Sequence, residues 1–140
     1  MTTSQRTVYL LGYGGLIPFV IPAILILANS PHAALLTTIT SAYAFGIICF
    51  LCGSWWGLAL KSKREYSLWL SNACFLLAFF VFSFAEQWWA LAAAILLIIL
   101  LITAHGAGLL SGLHEQYGKL RTQLTIIASA SMLTVQLAGQ

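Results

Sequence analysis

The side chains best suited to chemistry in this chain are three cysteines and one histidine. Cys49 and Cys52 stand three residues apart, and Cys74 and His105 follow on later apolar segments. Counted from the basic residues that flank these segments, Cys52, Cys74 and His105 fall at a similar depth in a membrane, where Asn72 could support them. Thiolate and imidazole are common metal ligands, so these three residues are candidates for a metal or redox site.

Three features favour a structural role for the same residues. A structural zinc site uses four ligands, and this set offers three. A thiol binds a metal as the thiolate, which is costly to form in lipid. Buried free cysteines often serve as small packing residues. We therefore predict no bound metal, with a haem held by His105 alone as a lesser alternative.

Acid–base catalysis and carboxylate-driven transport need ionisable groups, which are scarce here. Only 6% of the 140 residues are charged, and the three acidic residues, Glu65, Glu86 and Glu115, all lie near the ends of apolar segments. Ser54 and Ser111 have no companion acid and base. Six basic residues are also too few for a nucleic-acid surface. We predict a non-catalytic protein that binds no nucleic acid.

Composition and segment length predict the fold. The chain is 61% hydrophobic, and a helix of about 20 apolar residues crosses a bilayer core. We predict an all-α integral membrane protein, a single domain over residues 1–140 that forms a compact bundle of five transmembrane helices. The predicted spans are 9–28, 34–60, 66–85, 88–110 and 120–138.

The basic residues predict the orientation of this bundle. With five spans, all of them fall on one side of the membrane, and positive residues favour the cytoplasmic side. They are Arg6, Lys61, Lys63, Arg64, Lys119 and Arg121. We predict a cytoplasmic N-terminus, an external C-terminus and, by default, a bacterial inner membrane. Trp55, Trp56 and Trp69 would form an aromatic belt at the cytoplasmic face, with Trp88 and Trp89 at the other face.

Small residues predict where the helices touch, because close backbone approach drives helix association in lipid. The second span has small residues at steps of four, three, four and four, and we expect the first span to pack there through Gly12 and Gly15. They are Ala42, Gly46, Cys49, Gly53 and Gly57. Similar faces occur on the later spans, namely Ser67, Ser71, Cys74 and Ala78, then Ala90, Ala94, Ala104, Gly108 and Ser111, then Ala128, Ser131 and Ala138. The predicted packing glycines are Gly12, Gly15, Gly46, Gly53, Gly57, Gly108 and Gly112.

The first span contains two prolines, which tend to kink a helix and release backbone carbonyls. We interpret Pro18 and Pro22 first as a kinked packing helix. The alternative is a kink that shapes a ligand cleft with the tryptophans of the second span. The candidate cleft residues are Tyr13, Pro18, Pro22, Trp55, Trp56, Asn72 and His105.

Two stretches carry a family resemblance. LGYGGLIPF at 11–19 and GSWWGLAL at 53–60 resemble the signature stretches of the transmembrane-protein-69-like family, small proteins of bacterial and mitochondrial inner membranes. Members often have a second glycine and a His or Arg just before Trp-Gly, where this chain has Cys52 and Trp55. The resemblance implies an inner-membrane protein and no particular activity.

Three functions fit these features. The first is a non-catalytic accessory or assembly subunit, packed against other membrane-protein subunits or against copies of itself. The second is a lipid-, quinone- or small-solute-binding protein. We predict no cofactor, and a bound lipid or quinone is compatible with this second function. The third is a metal- or haem-dependent redox protein.

Overall fold

The computed structural model describes residues 3–106, 108 and 115–139, and every regular element among them is a helix. The predicted packing residues Ser111 and Gly112 lie outside this range. The described residues form six α-helices, with a single 3₁₀ turn at Glu86–Trp88 before the fifth. They are α1 (Thr3–Gly14), α2 (Ile17–Leu27), α3 (Ala33–Ser62), α4 (Glu65–Phe84), α5 (Trp89–Gly106) and α6 (Glu115–Ala138).

Four helical stretches are long and apolar enough to cross a membrane. They are Thr3–Leu27, Ala33–Ser62, Glu65–Phe84 and Glu86–Gly106, and they correspond to the first four predicted spans. The 24 residues of α6 do not reach the same hydropathy, although the helix is long enough. Much of its polar character is buried, since Arg121, Thr125, Ser129 and Ser131 all lie inside the bundle.

The first span is broken between α1 and α2, close to the predicted kink. The amides of Phe19 and Val20 both bond to the carbonyl of Leu16, at 3.0 and 2.9 Å, which releases the carbonyl of Gly15. The Tyr43 hydroxyl of α3 donates to that carbonyl at 2.8 Å. The ring of Tyr43 also meets Phe19 edge-on, with centroids 5.1 Å apart. A side chain from a neighbouring helix thus satisfies the backbone group that the break exposes.

An aromatic cluster joins α3, α4 and α5 near the start of α5. The rings of Phe45 and Phe82 stack at 4.8 Å, and Trp89 meets them edge-on at 5.9 and 5.2 Å. The indole Nε1 of Trp89 donates to the carbonyl of Ser41 at 2.9 Å. Trp89 is therefore fully buried, and its predicted place in an interfacial belt is wrong, because its ring fills the space between three helices.

Of the other four tryptophans, one is buried and three are exposed. Trp55 is 1% exposed and belongs to the core, so its predicted belt position is also wrong. Trp56, Trp69 and Trp88 are exposed by 44%, 79% and 57%, as residues of an aromatic belt would be. Each pair of adjacent tryptophans thus has one buried and one exposed member, because neighbouring residues project about 100° apart on a helix.

Helix α6 runs antiparallel to α5 along its length. Near one end, the side-chain oxygen of Gln136 accepts from the amide of Leu91 at 3.2 Å. Near the other end, His105 Nε2 and Thr122 Oγ1 are 3.3 Å apart. Helix α6 also contacts α1, where the Tyr13 hydroxyl donates to Gln123 Oε1 at 2.8 Å. Helix α6 therefore packs against α1, α2 and α5 along one side.

The small-residue faces of three helices are packing faces, as predicted. In α4 the buried residues are Ser67, Ser71, Cys74 and Ala78. In α5 they include Ala90, Ala94 and Ala104, and in α6 they include Ala128 and Ser131. Ala138, at the end of α6, is exposed. On α3 the prediction is wrong, and that exception forms the first candidate functional surface.

Candidate functional site

Helix α3 buries a different face from the one its small residues predict. The buried residues recur at steps of four, four, four, three and four, namely Thr40, Ala44, Ile48, Cys52, Trp55 and Ala59. The small residues lie on roughly the opposite side of the helix, which turns about 100° per residue. Ala42, Gly46, Gly53 and Gly57 are exposed, and Cys49 is half-buried. We call these five residues the α3 stripe.

The glycines of the α3 stripe have open space above them. A Cβ added to Gly46, Gly53 or Gly57 would meet no atom of the described chain within 4 Å. The expected contact between the first span and Gly53–Gly57 is therefore wrong. The stripe instead forms a shallow outward groove that runs about 22 Å along the helix axis from Ala42 to Gly57, at about 1.5 Å per residue.

Gly12 and Gly15 pack elsewhere. A Cβ at Gly12 would lie 3.0 Å from Leu124 Cδ1, so the missing side chain of Gly12 allows the close approach of α6 and not of α3. A Cβ at Gly15 would crowd two carbonyls of its own helix and lie 3.6 Å from the Tyr43 hydroxyl. The reason for the error is that α3 turns its bulkier face, with Ile48 and Trp55, towards the bundle.

Gly108 also differs from its predicted role as a helix-packing residue. Its φ of +65° is left-handed, a conformation that glycine adopts without the steric cost of a side chain. It follows the end of α5, and a Cβ there would lie 3.3 Å from the guanidinium of Arg64. Gly108 therefore serves a turn that meets the start of α4.

A second candidate surface is a cavity of about 390 Å³ between α1, α2, α3, α5 and α6, which is partly open to the outside of the bundle. Its walls are mostly apolar, and one of them is the segment around the break in the first span. Lining residues include Leu11, Gly12, Gly15, Phe19, Ile47, Leu51, Leu97, Leu124 and Ala128. Its volume is typical of small-molecule sites, which run from about 300 to 1,000 Å³.

One cation lines this apolar cavity. Arg121 is 8% exposed, and its Nε is buried without a hydrogen-bond partner among the described residues. Lys119, two residues before Arg121, forms an ion pair with Glu115 at 3.2 Å on the surface. Glu65 and Glu86 are likewise exposed. All three acidic side chains of the chain are thus exposed, and none of them forms an ion pair with Arg121 in the described structure.

Sequence reasoning used Arg121 only as a marker of orientation and missed its burial. A signal was present in the spacing. Arg121, Thr125, Ala128, Met132 and Val135 follow one another at steps of four, three, four and three, and all five are buried. A cation buried among helices that are apolar enough to cross a membrane is a functional hypothesis by default.

The residues predicted to form a ligand cleft do not line this cavity. Trp55 is buried, with an unpartnered indole Nε1 in the described structure, and Trp56 is exposed. Asn72 is exposed and donates to the Leu68 carbonyl of its own helix at 3.1 Å. The remaining members are dispersed as well, with Tyr13 bonded to Gln123, Pro22 buried, Pro18 half-buried and His105 exposed. The predicted cleft is therefore wrong, because these side chains point to different sides of the bundle.

The candidate metal site is not assembled either. Cys52 and Cys74 are buried free cysteines on α3 and α4. His105 is exposed at the end of α5, where it contacts Thr122 of α6. In the part of the chain that the structure describes, no three His, Cys, Asp or Glu residues could together hold a metal ion. The candidate grouping of Cys52, Cys74 and His105 is therefore wrong.

A third candidate surface is an open hollow at the opposite end of the bundle, with both polar and apolar walls. Its volume is about 700 Å³, and its lining includes Thr37, Glu86, Gln87 and Gln136. The Gln136 side chain donates to the Gln87 carbonyl at 3.1 Å across it. This hollow lies open between the helix ends and is not enclosed as a ligand site would be.

Comparison with known proteins gives one match. The model of a family described as "Protein of unknown function (DUF3429)" matches residues 4–137. No curated protein and no solved structure matches the chain.

Proposed function

The chain belongs to the DUF3429 family of proteins of unknown function, and we propose that it is a non-catalytic membrane subunit that packs against another membrane-spanning helix through the α3 stripe. The observation that carries this proposal is the open space above Gly46, Gly53 and Gly57. The partner is a helix of another membrane-protein subunit or of a second copy of this chain.

The contrast between helices supports this proposal. Within the bundle, the small faces of α4, α5 and α6 are buried against neighbouring helices, as close packing in lipid requires. The α3 stripe has the same residue types and spacing, but its glycines have no neighbour among the described residues. A small face that follows the packing pattern and lacks an internal partner is suited to an external one.

The energetic cost of glycine within a helix also supports an external helix partner for the α3 stripe. Glycine in a helix interior is less favourable than alanine by about 0.5–1 kcal/mol, and α3 has three such residues on one exposed face. Contact with lipid alone would not offset that cost, because mobile lipid chains do not require a groove. A closely packed helix would offset it through van der Waals contact.

We also propose five spans, with the N-terminus in the cytoplasm and the C-terminus outside a bacterial inner membrane. Support for the fifth span comes from α6, which lies antiparallel to α5 from Leu91 to His105. Its outward residues Ile126 and Leu137, exposed by 60% and 83%, suit contact with lipid. The likeness to the transmembrane-protein-69-like family, carried by residues 11–19 and 53–60, adds a further reason to propose the inner membrane.

A lipid-, quinone- or small-solute-binding function is a second proposal, favoured by the apolar cavity. On α3 the cavity is lined by Ile47, Phe50 and Leu51. Ile47 and Leu51 lie about a quarter of a turn or more from the stripe, but Phe50 lies beside it, within about 60° of each of its three glycines. The cavity therefore adjoins the edge of the α3 stripe at Phe50.

Leucine at Gly53 and Gly57 tests the assembly proposal. The double variant should weaken association in detergent or nanodiscs by about tenfold or more, because overfilling a packed contact costs about 1–3 kcal/mol. The thermal stability of the monomer should stay close to that of the parent, since the added side chains enter open space. Native mass spectrometry of the purified protein would report the associated fraction.

Gly14→Leu is the matched control, because Gly14 is also an exposed helical glycine with open space above it and lies outside the stripe. It should leave association unchanged. Equal association of the parent and the double variant would contradict the proposal, and so would a protein that is monomeric at every concentration and carries no other subunit.

A further inference from the structure

Arg121 is a buried cation without a counter-ion among the described residues. The side chain is 8% exposed and its Nε has no partner among the described residues. A charge held inside a protein is paired, because an unpaired one is costly to remove from water. The chain's three acidic side chains are exposed and do not pair with Arg121 in the described structure, so an anion from another molecule would supply the missing partner.

The surroundings of Arg121 define what that molecule must be. The cavity that it lines is otherwise almost entirely apolar, with Phe19, Leu97 and Leu124 among its walls. A small free anion would pair with the guanidinium and leave about 390 Å³ of apolar space unfilled. A molecule with an acid group and a hydrocarbon chain would satisfy both parts of the site.

The position of Arg121 suits an anionic head group. It lies six residues after Glu115, the first residue of α6, or about 9 Å along the helix at about 1.5 Å per residue. From there the cavity continues to Ala128, about 10 Å further along α6. The cation thus stands near one end of the bundle, and the apolar space extends from it towards the middle.

From these observations we infer that the cavity binds an anionic lipid, with its phosphate or carboxylate on the Arg121 guanidinium and a hydrocarbon chain between α2, α3 and α6. Arginine is suited to this role because its planar fork of N–H donors pairs with two oxygens of one acid group. The inference rests on the second proposal, lipid binding, and deepens it, and none of its observations concerns the glycines of the α3 stripe.

Lipid retention in native mass spectrometry tests the site. Purified protein is exchanged into neutral detergent and offered phosphatidylglycerol or phosphatidylcholine with the same acyl chains, or oleate. The parent should retain an anionic lipid in preference to phosphatidylcholine. Arg121→Gln should weaken that retention by about tenfold or more, as expected for loss of a desolvated charge pair.

Lys119→Gln is the matched control. It removes the same charge from the same helix, two residues away, at a side chain that is 72% exposed, and it should leave retention unchanged. A thermal-shift series on the parent protein needs no variant to fold. Anionic lipid should raise its melting temperature by mass action, and phosphatidylcholine should not.

The choice among the anionic probes identifies the source of the acid group. Retention of phosphatidylglycerol would assign a phospholipid, and retention of oleate alone would assign a single-chain carboxylate. Equal retention of anionic lipid and phosphatidylcholine would leave lipid binding standing and overturn the role of Arg121. Retention of none of the probes would overturn both.

Discussion

Replacing Trp89 with Ala should lower the free energy of unfolding by about 3–5 kcal/mol, the usual loss for a fully buried aromatic side chain. The residue is 0% exposed and joins Phe45 of α3 to Phe82 of α4. The substitution removes those ring contacts and also the hydrogen bond to the Ser41 carbonyl. Denaturant or thermal unfolding in mild detergent would measure the loss.

Trp88→Ala is the natural control, because it deletes the same side chain from the adjacent position. Trp88 is 57% exposed, and its replacement should cost less than about 1 kcal/mol, as most surface substitutions do. Similar losses for the two variants would contradict the buried cluster and restore the interfacial position expected from the sequence.

A reporter enzyme that is active only in the cytoplasm should be inactive when fused to the C-terminus, an all-or-none effect. Four helical stretches are apolar enough to cross a membrane, and we propose that α6 crosses as well because it lies antiparallel along α5. An odd number of crossings places the two ends of the chain on opposite sides. Reporter activity in living cells would measure this directly.

The same reporter inserted beside Lys63 is the control and should be active, since the positive-inside rule places that connection in the cytoplasm. A second reporter, active only outside the cytoplasm, should give the reverse pattern at both positions. Cytoplasmic activity at the C-terminus would contradict the fifth span and leave α6 as a helix that does not cross.

Hydropathy and small-residue spacing predicted much of the fold. The four apolar helical stretches follow from segment length, because a bilayer sets how many apolar residues a crossing needs. The buried faces of α4 and α5 follow from the spacing of residues such as Ser71, Cys74 and Ala94. These features depend on one helix at a time, and that is why the sequence could predict them.

The wrong predictions concern which of two faces of a helix packs against the rest of the bundle. On α3, Gly53 and Gly57 mark one face, and Ile48 and Trp55 mark another. Both faces can pack, and the choice between them depends on the shapes of α2 and α4, which hydropathy does not contain. The burial of Arg121 was missed for a related reason: a basic residue near a span boundary is ordinarily read as a sign of orientation.

The most direct test of the α3 stripe is a photoreactive leucine analogue placed at Leu60, which is 62% exposed and lies one turn beyond Gly57 on the same side of the helix. The control position is Leu76 of α4, which is 50% exposed. After illumination of intact membranes, mass spectrometry should find protein adducts at Leu60 and lipid adducts at Leu76. Lipid adducts at both positions would contradict a helix partner for the α3 stripe.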